Sequence, residues 1–120
     1  MQHTILVVED DPDIRELISE VLVQSGYHVA EAGNGQEALD FLQAHDRPCV
    51  MLLDLMMPVL SGPELLEIMA EDERFAQLPV VVVSAIADRG EAPGVAKFLR
   101  KPVPSDVLRA TIAEYCPPPI

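Results

Sequence analysis

The chain has 120 residues, 20 Asp and Glu against 8 Lys and Arg, a net charge of −12 and no Trp. That length suits one domain, and a chain of this size buries roughly two thirds of its unfolded surface, so it can hold a core without staples. A 49% hydrophobic fraction excludes a disordered acidic tail, no apolar run reaches the roughly 18 residues a membrane span needs, and a pI near 4.4 argues against direct nucleic-acid binding. In chain order, the charge-free run 4–8 predicts a buried strand. Asp11-Pro12 then reads as an N-cap followed by Pro at the first helical position. Leu17, Ile18, Val21 and Leu22 form one apolar helix face, and Gly26 ends that helix. The segment 27–31 carries polar residues and reads as an edge strand. Asn34 caps a second helix running to His45, with Ala38, Leu39 and Leu42 inward. The run 50–53 is a second fully buried strand, followed by a helix over 62–75 with Leu65, Leu66 and Met69 inward. The run 80–83 is a third buried strand and 95–99 a second edge. A last helix, capped by Ser105, turns Val107, Leu108 and Ile112 inward, and 117–120 is a proline-rich tail. No basic region precedes a hydrophobic stretch at the start, which predicts no signal peptide and a cytoplasmic protein. Cys49 and Cys116 accordingly read as two unlinked thiols.

Strands alternating with helices predict a single α/β domain over residues 1–120, with a parallel sheet and right-handed crossovers. Ligands of such sheets bind beyond the carboxyl ends of the strands. Glu9, Asp10 and Asp11 follow the first strand, Asp54 the third, Ser84 the fourth, and Lys101-Pro102 the fifth. Carboxylates crowded together repel unless a cation joins them. Hard oxygen ligands suit Mg²⁺, which leaves coordination positions for a phosphate. A lysine adds fixed positive charge, a hydroxyl adds a donor, and a carboxylate can itself be the nucleophile. The set therefore points to phosphoryl transfer. Taken singly, each residue has a plainer reading, whether helix cap, turn, strand-end hydroxyl or solvated lysine; the conjunction at four strand ends does not.

Those residues stand in motifs. Ile5-Leu6-Val7-Val8-Glu9-Asp10-Asp11, Leu52-Leu53-Asp54-Leu55-Met56-Met57-Pro58 with Gly62, Ser84-Ala85 and Lys101-Pro102 together resemble a response-regulator receiver domain, from Ile5 to about Tyr115. The resemblance implies a doubly wound sheet of strand order 2-1-3-4-5. It also implies that Asp54 is the phosphoacceptor, taking phosphorus from a phosphohistidine of a sensor histidine kinase or a histidine phosphotransfer protein. Asp10, Asp54 and the backbone carbonyl of Met56 would bind Mg²⁺ directly, and Glu9 through water. Ser84, Ala85 and Lys101 would contact the phosphoryl group. Phe98 falls at the family's switch-aromatic position and would turn inward as Ser84 moves. The peptide before Pro102 is often cis in the family. Ile14 and Arg15 are the expected partner surface. The domain would signal to an output protein through contacts alone, without catalysing any reaction beyond its own phosphorylation and dephosphorylation.

One stretch departs from the family. Only ten residues, 85–94, join the fourth and fifth strands, where a parallel crossover usually takes about a dozen or more, and Gly90, Pro93 and Gly94 break helices. The fourth helix should be one turn at most or absent. That reduces the family's usual output and dimer face, so a monomer is expected. Two other readings compete. A haloacid-dehalogenase-type phosphatase needs an acid two residues after its nucleophile, where this chain has Met56. A phosphorylation-independent binding module usually lacks one of the acids or the lysine, and here all are present.

Overall fold

The computed structural model describes residues 3–45, 47–55, 57, 59–85 and 95–117. Within these, β1 (Thr4–Val8), β2 (His28–Ala32), β3 (Val50–Asp54), β4 (Val80–Ser84) and β5 (Val95–Arg100) alternate with helices. The helices are α1 (Pro12–Gln24), α2 (Gly35–Ala44), α3 (Gly62–Ala70) and α4 (Ser105–Tyr115). All strand pairs are parallel, in the order β2-β1-β3-β4-β5. The expected architecture is the one observed. The expected loss of a helix between β4 and β5 concerns 86–94, which lie outside the described residues.

The composition of each strand matches its place. β1, β3 and β4 are buried almost throughout, whereas β2 and β5 are edges with exposed positions, as charge-free and mixed runs should be. Two cores fill the two faces of the sheet. Leu6, Met51, Leu53 and Val82 pack with Ala38, Leu42, Leu65, Leu66 and Met69 of α2 and α3. Ile5, Val7, Leu52 and Val81 pack with Leu22 of α1 and Leu108 and Ile112 of α4. The period-2 alternation of side chains sends adjacent residues to opposite cores.

Helix starts follow local hydrogen bonding. The Asp11 carboxylate accepts from the amides of Asp13 (2.9 Å) and Ile14 (3.3 Å), ahead of Pro12. Asn34 accepts from the Glu37 amide at 2.8 Å. Ser61 and Glu64 form a reciprocal capping box on α3, a start signal legible in the sequence as Ser-x-x-Glu. Gly26 closes α1 at φ 99°, a conformation that favours glycine.

Several expectations need correction. α3 ends at Ala70, and hydrogen-bonded turns carry the chain to Leu78, burying Phe75. The cap of α4 is Pro104, without a side-chain bond, so Ser105 is the first helical residue. Leu17 is 64% exposed and Val107 41% exposed, although both were expected inward. Each sits at the margin of its helix's apolar arc, which Ile18 and Leu22, or Leu108 and Ile112, already fill. Cys49 and Cys116 are not free thiols: they form a disulfide between the start of β3 and the end of α4, with Cα atoms 5.6 Å apart. Sixty-seven residues of separation concealed a pairing that the fold creates by laying α4 back along the sheet.

Candidate functional site

The sheet register assembles the site. Val8 lies opposite Leu53, so the next residues, Glu9 and Asp54, emerge side by side at the carboxyl edge. Asp54 in turn pairs with Val83, and Ser84 with Arg100, which brings Ser84 and Lys101 to the same edge. The strand order reverses between β1 and β3, the crevice where such sheets bind ligands. Carboxylate oxygens of Glu9, Asp10 and Asp54 lie within 4.8 Å of one another. Glu9 and Asp54 are buried, 3% and 6% exposed, while Asp10 faces solvent.

Lys101 answers this density of negative charge. Its Nζ donates to Glu9 Oε1 at 2.8 Å and stands 3.5 Å from Asp54 Oδ2. Burial pushes the Glu9 carboxyl above its ordinary range, against the pull of the Lys101 hydrogen bond and the Asp11 amide. Burial alone would lower the Lys101 ammonium; its bond to Glu9 and the charge of Asp54 outweigh that and raise it. The Asp11 amide donates to Glu9 Oε2 at 3.2 Å. Ser84 is fully buried, and its carbonyl accepts from the Lys101 amide at 2.8 Å, just before a cis peptide between Lys101 and Pro102. Gly62 closes the floor. A Cβ there would stand 2.7 Å from Leu55 Cα and 3.0 Å from the Asp54 carbonyl oxygen, so a side chain would push on the strand that carries Asp54.

Of the residues expected at the site, Glu9, Asp10, Asp54, Ser84 and Lys101 come together at this edge. Ala85 stands beside them, exposed, and Met56 lies outside the described residues. Phe98 is half-buried, opposite Val82 and two residues short of the end of β5, and packs against the core on the α2–α3 face. Arg15, expected on the partner surface, has its guanidinium engaged within the chain. It donates to the Glu9 carbonyl at 2.8 Å and to Glu31 Oε1 at 3.1 Å, bracing the turn that presents Glu9. Arg15 lies one turn past the Asp11 cap, and only the β1–β2 pairing shows what it reaches. Ile14, with Leu17, Ile18, Val103 and Leu108, lines an apolar groove of about 460 Å³ that runs up to Ala85, Lys101 and Pro102.

A five-stranded doubly wound sheet with three carboxylates and a lysine at its switch point defines the class of phosphoacceptor-type signalling domains. The chain belongs to the response regulator receiver domain family, which it matches over residues 5–113. It is 39% identical over 115 residues to the response regulator Rre1 of Synechocystis, covering 91% of this chain and 49% of that protein. It therefore spans about half the length of Rre1. It is also 30% identical to the polar-differentiation response regulator DivK of Brucella anthropi, over 96% of this chain and 97% of DivK. Among solved structures it superposes on the receiver domain of the sensor histidine kinase PA1611 from Pseudomonas aeruginosa, crystallised with magnesium in its active-site cleft. The TM-score is 0.87 at 26% identity, over 96% of this chain and 98% of that one. The family is a signalling domain of two-component systems. Among the described residues no helix is long and apolar enough to cross a membrane.

Proposed function

We propose that Asp54 accepts a phosphoryl group from the phosphohistidine of a sensor histidine kinase or histidine phosphotransfer protein, and that the phosphorylated domain signals by protein contact in the cytoplasm. The observation that carries this reading is the convergence of Glu9, Asp10 and Asp54 with Lys101 at the switch point. Those three carboxylates are hard oxygen donors close enough to share one cation, and they fit Mg²⁺. Asp10 and Asp54 would hold it directly, the Met56 carbonyl would complete the protein's share, and Glu9 would act through water. When bound, the ion offsets the repulsion between the acids and an incoming phosphoryl group.

The protein's own part is positioning and charge. An Asp54 oxygen attacks phosphorus in line; the new P–O bond forms as the P–N bond to histidine breaks, and the imidazole leaves. Lys101 Nζ, already within reach of Asp54, passes to a phosphoryl oxygen, and the Ser84 hydroxyl donates to another, with Ala85 beside it. Phe98 fills the space that the moving Ser84 loop vacates, which couples the site to the β5 edge. Differential contact of the phosphoryl group with the two loop positions supplies the free energy of the switch. The groove beside Ile14 gives the donor helix an apolar seat next to the reacting atoms. The domain catalyses no reaction other than its own phosphorylation and dephosphorylation, binds no nucleic acid, and acts as a monomer.

Incubation with acetyl phosphate and Mg²⁺, followed by intact mass, tests the chemistry. One phosphoryl adduct is expected in the native chain and none in Asp54→Asn. Absence of the adduct in the native chain would favour a phosphorylation-independent binding module. Steady turnover of a generic phosphomonoester would favour a phosphatase. Light scattering with and without beryllofluoride should give a monomer in both states, and a compact dimer would overturn that part.

A further inference from the structure

At the opposite, amino-terminal end of the sheet lies a second cavity, of about 900 Å³, unconnected with phosphoryl chemistry. His3, His45 and Arg47 line it, and so does Cys49, one half of the disulfide. Among the described residues that line it there is no carboxylate, which is unusual for a chain of net charge −12. The His45 ring is held by stacking on Phe41, centroids 4.2 Å apart, with Nδ1 3.1 Å from the Phe41 carbonyl oxygen. His3 Nδ1 is shut off from solvent with no hydrogen-bond partner among the described residues. The two residues differ in exposure: Cys49 is half-buried and lines the cavity, whereas Cys116 is wholly buried.

We propose that the Cys49–Cys116 bond is a thiol-exchange site, and that this cavity admits a small anionic thiol to Cys49. The thiolate enters along the line of the S–S bond and attacks Cys49 Sγ. A new disulfide forms between the small thiol and Cys49 as the Cys49–Cys116 bond breaks, and the electron pair departs on Cys116 Sγ. No external oxidant is needed, because the protein disulfide is the electron acceptor. The Cys116 thiolate is released into a buried place at the C-terminus of α4, where desolvation and the helix dipole both disfavour negative charge. It therefore takes a proton from water. Attack in the reverse sense, at Cys116, is closed by burial. The charge of Arg47 selects an anionic thiol over a cationic one. The inference rests on this end of the molecule alone and stands apart from the phosphoacceptor reading.

The oxidised protein is incubated at neutral pH with reduced glutathione, an anionic thiol, or with cysteamine, a cationic one, and quenched with N-ethylmaleimide in denaturant, which exposes Cys116. Intact mass and peptide mapping locate the products. The expected result is glutathione on Cys49 with maleimide on Cys116. Per thiolate, glutathione should react about threefold faster than cysteamine, the size expected of one or two screened ion pairs. Molar salt and Arg47→Glu should each erase that preference. In Cys116→Ser, oxidised glutathione should load Cys49 stably, and the native chain provides the same readout if that variant fails to fold. The proposal is overturned by an adduct on Cys116, by equal rates for the two thiols, by a bond that no monothiol opens, or by a protein that mild oxidation leaves with two free thiols.

Discussion

Lys101 pairs with two buried carboxylates, Glu9 and Asp54. Replacing it by Ala should destabilise the metal-free protein by about 1–3 kcal/mol, because Glu9 and Asp54 keep their burial and lose the Lys101 charge. The double change Glu9→Gln, Asp54→Asn should restore most of that loss, since it removes the charges that Lys101 balances. Urea unfolding in the presence of a chelator measures both; a Lys101→Ala chain as stable as the native one would show that the pairing contributes nothing. At this scale the sequence was most informative where chemistry and burial conflict. A polar or charged residue placed directly after a strand marks a site, and Glu9, Asp54, Ser84 and Lys101 could be found that way. Arg15 could not, because its partners, the Glu9 carbonyl and Glu31, are set by the pairing of β1 with β2 rather than by any local pattern.

Elements bring distant residues together, and the disulfide is the clearest case. It closes a loop of 67 residues, for which the chain-entropy relation gives about 4 kcal/mol of stabilisation at 25 °C. In a domain of this size each kcal/mol moves Tm by roughly 3–6 °C. Reduction, or Cys49→Ser, should therefore lower Tm by roughly 12–24 °C in calorimetry, and an unchanged Tm would remove the staple from the account. The strand order, the caps at Asp11 and Asn34 and the inward faces of α2 and α3 could be read from periodicity and capping chemistry alone. The disulfide could not be read, because no pattern in the sequence indicates that the end of α4 returns to the start of β3. Leu17 was misplaced for a related reason. An apolar arc on a helix indicates which side is sticky, not whether the rest of the fold reaches far enough to cover it, and α1 leaves Leu17 on the rim of the groove near Lys101.

Over the whole molecule the charge is graded. Sixteen of the 20 acids precede Leu78, against three bases, whereas four bases and two acids follow Val95. Because β5 is a sheet edge, the gradient becomes spatial: an acidic body formed by α1, α2 and α3, and a basic margin at β5, where Lys97, Arg100 and Lys101 stand. Self-repulsion within the body opposes folding. The described ion pairs offset little of it. Arg15–Glu31, Arg74–Asp72 and Lys97–Glu114 each involve exposed side chains and contribute about 0–1 kcal/mol apiece. Raising sodium chloride from about 0.01 M to about 1 M shortens the screening length from about 30 Å to about 3 Å. That weakens the diffuse repulsion more than the close, partly buried contacts of Lys101. Tm should therefore rise with salt, by several degrees, and do so equally in Asp54→Asn, where the local crowding of the site has been relieved. A fall in Tm would mean that specific ion pairs outweigh the net charge. A rise confined to the native chain would place the repulsion in the Asp54 cluster rather than across the acidic body.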